Sequence, residues 1–178
     1  MKLQNMIYVA LGTALLAVAS QFAFSLGPVP ITLQTLAVGL LATLFRPRET
    51  FLSLLLYILI GAIGLPVFAA GASGFGVIFG PTGGYILGFL VSGPLISFLL
   101  QKFNRSIVAS LLANLVGFSL TLTIGTIWLR YAAKMNWQAA FTSGFLGFIL
   151  IELGKAVVVA FVAVALQRAL AKTSRYFA

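Results

Sequence analysis

The chain has 178 residues, 61% of them hydrophobic and 7% charged, with a formal net charge of +9 and a mean hydropathy of +1.14. That composition excludes a water-soluble domain of this size and leaves an integral membrane protein. Cys, His and Asp are all missing, which removes disulfides, thiol nucleophiles, histidine bases and almost every zinc or transition-metal site.

A bilayer core is about 30 Å thick and each crossing takes roughly 20 helical residues. Six apolar runs fit that frame: residues 4–24, 31–45, 50–68, 84–100, 107–129 and 144–166. They are continuously apolar rather than alternating, so helices are expected and a barrel is not. The expected fold is all-α, a single six-helix membrane domain over residues 1–178. No internal repeat divides it, and Lys2 followed by a long apolar stretch reads as a retained first helix rather than a signal peptide.

The basic residues sit in ones and twos between the runs, which speaks for topology signals and against a nucleic-acid face. With a cytoplasmic N-terminus, the cytoplasmic ends hold Lys2, Arg46, Arg48, Lys102, Arg105, Arg168, Lys172 and Arg175, against Arg130 and Lys134 outside. The bias places both termini in the cytoplasm. Lys155 alone falls inside a span.

In chain order, the first run carries Ala10 and Ala14, a small-xxx-small pair continued by Ala17. Such a strip serves either close helix packing within the chain or docking of a partner membrane protein. SLGPVP, residues 25–30, is a short outer turn stiffened by two prolines. Next, PITLQTL places Thr32 and Gln34 at the outer end of the second span, where each makes an interhelical hydrogen bond or a ligand contact. The segment PVFAAGASGFGVIFGPTG, residues 66–83 between the third and fourth spans, is glycine-rich and carries no charge. It is too apolar for a solvated loop and is expected to pack back onto the helices as a lid or re-entrant hairpin.

FGPTGGY, residues 79–85, opens the fourth span. Pro81 presets one backbone angle, Thr82 is a candidate helix cap, and Gly83 and Gly84 permit positive φ and close approach just before Tyr85. Amides exposed at such a helix start attract anions. Asn114 interrupts an otherwise apolar fifth span.

The last run holds FILIELGKAVVVAF, residues 148–161, with Glu152 and Lys155 three residues apart on one helix face. If the span begins near Gly144 they lie about 12 and 16 Å along it, near mid-membrane. An ionised side chain there costs at least about 2.5 kcal/mol and normally faces a bundle interior or a cavity. The pair either neutralises itself at a packing interface or lines a polar ligand site. In the second reading Glu152 accepts from ligand N–H groups and Lys155 donates to a carbonyl or carboxylate oxygen. No P-loop is present, so the chain does not itself use ATP in that way.

GPVPITLQTLAVGLLA, LLYILIGAIGLPVFAAGASGFGVIFGPTGGYILGF, NLVGF from Asn114 and the late carboxylate-x-x-Lys, spread over residues 6–171, together resemble the biotin-specific substrate-binding subunits of energy-coupling-factor transporters, the BioY family. The resemblance implies a six-helix fold in the bacterial plasma membrane that captures biotin at its outer side and is not an enzyme. It implies biotin as transported ligand with no cofactor, and as partners a transmembrane coupling protein and two cytoplasmic ATPases, which alone use ATP. By resemblance the first-helix strip, Ala10 and Ala14, is the docking surface. Ligand contacts carry over onto Glu152, Lys155, Thr82, Gly83, Gly84 and Tyr85, with Thr32, Gln34 and Asn114 completing the pocket. The chain departs from the family pattern in having Gly147 and Leu150 where prolines are usual, and Glu152 in place of Asp. Glutamate is one methylene longer, and a proline-free helix start continues further outward. Rival readings are a proton- or ion-coupled transporter with Glu152 as carrier, an intramembrane hydrolase using Lys155 as base, and a purely structural membrane subunit.

Overall fold

The computed structural model describes residues 3–25, 27–103 and 105–171, with Ala171 as backbone alone. Lys2, Lys172 and Arg175 lie outside the described residues. The chain opens with α1 (Leu3–Gln21), then two short strands, β1 (Ala23–Phe24) and β2 (Ile31–Thr32), pair as an antiparallel hairpin around the proline turn. The hairpin feeds α2 (Gln34–Leu44), and Arg46 turns the chain into α3 (Pro47–Ala62). Pro47 starts that helix because a first-turn amide needs no partner, and Glu49 sits in the first turn where the helix dipole favours an acid.

A single 3-10 turn (Ala69–Gly71) and a short helix, α4 (Phe75–Phe79), lead into α5 (Gly83–Lys102). α6 (Ile107–Ala132) begins at Ser106, whose hydroxyl accepts from the Ala109 amide at 3.1 Å. Asn136 caps α7 (Trp137–Phe141) in the same way at 2.7 Å. A π-helical turn, Thr142–Leu146, joins α7 to α8 (Gly147–Ala171) without a break.

The six longer helices follow the six apolar runs. Among the described residues, four helical stretches are long and apolar enough to cross a membrane: Leu3–Gln21, Gly83–Lys102, Ile107–Ala132 and Trp137–Leu170. α2 and α3 are shorter, with 11 and 16 residues, or about 16 and 24 Å of rise. The last helical stretch begins seven residues before Gly144, the start expected from hydropathy, because no proline interrupts it and a π turn carries the helix through.

α5 packs along α6, α1 along α3, and α8 against α2 and α6. Ala156, Val159 and Ala163 of α8 meet Ala42 of α2 and Phe118 of α6 in one buried cluster. A second cluster joins Leu16, Leu41, Leu54 and Tyr57 beneath Phe68 and Phe89. On α1 the close intramolecular approach is made by Gly12, where a Cβ would lie 2.6 Å from Ser53 Oγ. Ala10 and Ala14 lie on the opposite, exposed face beside Ile7, Leu11 and Val18, and Ala17 is half-buried.

The glycine-rich segment lies on the helices. Phe68 is fully buried, its ring edge-on to Tyr57 at 5.5 Å, and it fills the space a side chain at Gly61 would take. Ser20 Oγ donates to Val67 O at 2.6 Å, the Gly74 amide to Gly61 O at 2.7 Å, and Trp128 Nε1 to Gly80 O at 2.9 Å. Gly64, Gly71 and Gly74 take φ of 107°, 76° and 86°, turns that a side chain would strain.

Candidate ligand-binding site

Glu152 and Lys155 form an ion pair of 2.7 Å, 3% and 8% exposed. Neither charge is left to the pair alone. Thr35, one residue into α2, donates its hydroxyl to Glu152 Oε1 at 2.9 Å and accepts from Lys155 Nζ at 2.7 Å. Lys155 also donates to the Thr32 carbonyl at 2.8 Å. An ammonium has three N–H donors, so Glu152, Thr35 and Thr32 take all of them. Glu152 Oε1 thus receives two donors, while Glu152 Oε2 is buried with no partner among the described residues. One oxygen of the acid is pinned and the other is unpaired there.

Thr32 and Gln34 hold one another. The Thr32 hydroxyl donates to Gln34 Oε1 at 3.0 Å and accepts from the Gln34 amide at 3.2 Å. Gln34 Nε2 donates to Tyr57 Oη at 2.6 Å, so the start of α2 is tied to α3. Burying such groups is tolerable because each finds a partner.

The ion pair borders a cavity of about 50 Å³. Val29 and Pro30 of the hairpin turn close one side, and Ala69, Val77 and Thr82 of the glycine-rich segment close another. Tyr85, Ile86 and Phe89 of α5, Leu122 of α6 and Phe148 of α8 form its apolar walls, with Thr32, Gln34, Thr35, Glu152 and Lys155 as its polar side. Thr82 occupies the cap position of α5, but its hydroxyl makes no cap bond.

Gly83 and Gly84 do not line the cavity, and neither has positive φ. They permit close packing instead: a Cβ at Gly83 would collide with the Ile78 backbone, and one at Gly84 with Trp128. Asn114 does not line the cavity either: it donates to Ser110 O at 2.8 Å and Thr43 Oγ1 at 3.1 Å, and its Oδ1 lies against Gly39 in the middle of α2. Of the residues singled out in sequence, the cavity therefore gathers Thr32, Gln34, Thr82, Tyr85, Glu152 and Lys155. Thr35 and Tyr57 were not singled out; the Thr32 and Thr35 spacing of three, one helical turn, was the available signal.

Ala140, Gly144, Phe148 and Glu152 lie buried on one face of the last helical stretch, a repeat of four that continues through Ala156, Ala160 and Val164, and the π turn Thr142–Leu146 lies within it. Tyr85 Oη donates to Gly144 O within that turn at 2.9 Å. A Cβ at Gly144 would lie 2.6 Å from the same hydroxyl, so glycine is what lets the tyrosine reach.

The model of the BioY family matches residues 1–172. The chain belongs to the BioY family. Among relatives, "Biotin transporter BioY2" of Lactococcus lactis subsp. cremoris is 48% identical over 99% of this chain and 97% of its own length. "Biotin transporter BioY" of Thermotoga maritima is 34% identical over 93% and 97% respectively. Among solved structures, the S-component for biotin from an ECF-type ABC transporter superposes with a TM-score of 0.88 at 27% identity, covering 94% of this chain and 92% of that one. In this chain of the BioY family, then, a buried carboxylate paired with a lysine lines a partly aromatic cavity at the end of the bundle where α2 and α5 begin.

Proposed function

We propose that this chain captures biotin as the substrate-binding subunit of an energy-coupling-factor transporter. The observation that carries the reading is Glu152 Oε2, a buried acceptor without a partner beside the cavity. Biotin presents two ureido N–H donors, a sulfur-containing ring and a valerate chain. An N–H of the ureido ring donates to Glu152 Oε2, a charge-assisted bond that settles an acceptor otherwise expensive to bury. Phe89, Ile86, Leu122 and Phe148 take the ring's apolar faces. Because all three donors of Lys155 are already committed, its role is to hold Glu152 oriented rather than to bind the valerate. Thr82 and Gln34 remain as polar groups for the ligand's other end.

A cavity of about 50 Å³ holds little more than water, whereas ligand pockets span about 300–1,000 Å³. Binding therefore requires the covering segment around Ala69, Val77 and Thr82 to shift outward. That makes the glycine-rich segment a lid, with Phe68 as its anchor.

The fuller assembly belongs to the same proposal: one six-helix domain in the bacterial plasma membrane, both termini cytoplasmic, the cavity facing out. The exposed Ala10 and Ala14 strip of α1 docks a transmembrane coupling protein that carries two ATPases. The supporting observations are the strip's exposure beside an internal packing face that already uses Gly12, and the eight-to-two bias of basic residues. Equilibrium binding of biotin to the purified chain, with desthiobiotin as competitor, tests the capture step. Proteoliposome uptake with and without the coupling protein and ATPases tests the rest. Saturable binding and ATP-dependent uptake that is lost in Ala10→Trp/Ala14→Trp are expected. Biotin uptake driven by a pH gradient through the chain alone would overturn the assembly.

A further inference from the structure

At the other end of the bundle a second concavity runs between α5 and α6. Its volume is about 440 Å³. Ala109 and Ala113 give it a floor of small side chains, and Leu99, Phe103, Leu112 and Val116 form its walls. Phe103, Leu112 and Val116 are more than half exposed, so the groove opens on the surface of the bundle rather than into its core. From Val108 to Val116 it extends eight residues along α6, about 12 Å. Its surface is apolar along this length, and polarity appears only at the mouth.

The mouth is cationic. Lys102 Nζ stands 5.9 Å from the centroid of the Phe103 ring, above the wall that Phe103 makes. Ser106 lines the groove; its oxygen accepts from the Ala109 amide, which leaves its O–H to donate. Arg105, adjacent in sequence, donates its guanidinium to Leu44 O at 3.2 Å. Arg46 and Arg48 follow Leu44 in sequence, and Glu49 and Glu152, the chain's two acids, are absent from the groove lining.

We propose that this groove is a binding site for one anionic phospholipid, its phosphate at Lys102 and Ser106 and the first part of an acyl chain between Phe103 and Val116. The occupant follows from the charge pattern. A zwitterionic lipid satisfies the apolar walls but brings its own cation to a mouth already positive. A partner helix would fill the walls and leave Lys102 unmatched. Basic pockets between membrane helices favour anionic head groups for this reason, each lysine near the surface contributing about fivefold.

Native mass spectrometry of the purified full chain, delipidated and then offered phosphatidylglycerol or phosphatidylcholine with identical chains, reads the proposal. Wild type is expected to retain phosphatidylglycerol at least about fivefold better. Lys102→Gln brings the two lipids close to parity. Leu112→Trp, which fills the groove from an exposed position, lowers retention of both. Arg168→Gln removes an exposed charge of the same sign from α8 and leaves the preference in place, and biotin affinity is unchanged in all three. Equal retention of the two lipids by wild type would overturn the proposal. So would a preference that survives Lys102→Gln, one that falls as much in Arg168→Gln, or lipid retention that Leu112→Trp does not reduce.

Discussion

The chain has two acidic residues, and both are buried, Glu49 at 2% and Glu152 at 3% exposure. Each has one oxygen engaged and one without a partner. Glu49 Oε1 accepts from Asn5 Nδ2 at 2.8 Å where α1 meets α3, in the first turn of its helix, where the dipole favours its charge. Glu152 lies within a long helix, away from any terminus, and depends on Lys155 and Thr35 instead. Glu49 lines neither of the two cavities described above, whereas Glu152 borders the one at the start of α2 and α5. A buried carboxylate by itself is therefore a poor sign of a binding site. What distinguishes Glu152 is a charge partner that fixes one oxygen and a cavity that its side chain lines.

Four substitutions sharpen or break that contrast. Lys155→Met should have the largest effect, because removing one partner of a buried pair costs about 3–5 kcal/mol. It is expected to lower biotin affinity by more than about a hundredfold and to lower the melting temperature in detergent, read by calorimetry and thermal unfolding. Glu152→Gln keeps shape and an acceptor for Lys155, and should weaken binding by roughly 10- to 100-fold, the scale of a hydrogen bond to a charged group at about 1.5–3 kcal/mol. Thr35→Val removes the hydroxyl that bridges the pair, and an affinity loss of about tenfold is expected with the protein still folded. Asn114→Ala should do least at the cavity, changing affinity by less than about twofold while costing stability, since distant sites act independently. A drop in affinity for Asn114→Ala matching that of Thr35→Val would place the ligand elsewhere.

The positions of the six longer helices were legible because each coincides with a continuous apolar run, and the Glu152 and Lys155 pair stood out as charge in such a run. Thr32, Gln34, Thr82 and Tyr85 could be found by their motifs. Thr35 was marked only by its spacing of three from Thr32, which gives no sign of the partners that cross to it from α8. The commitment of all three Lys155 donors was equally hidden, because it needs the Thr32 carbonyl, and backbone groups carry no sequence signal. Asn114 stands outside the cavity lining, since a polar residue in a span declares that it has a partner but not which one. The π turn escaped because glycine and serine in TSGFLG, residues 142–147, are compatible with loop, turn or helix.

The most direct measurement is a biotin binding isotherm for wild type, Glu152→Gln and Glu49→Gln side by side, each verified as folded. The account predicts saturable binding for wild type, affinity within about twofold of it for Glu49→Gln, and a loss of at least about tenfold for Glu152→Gln. Equal affinity in all three, or a larger loss in Glu49→Gln than in Glu152→Gln, would contradict it.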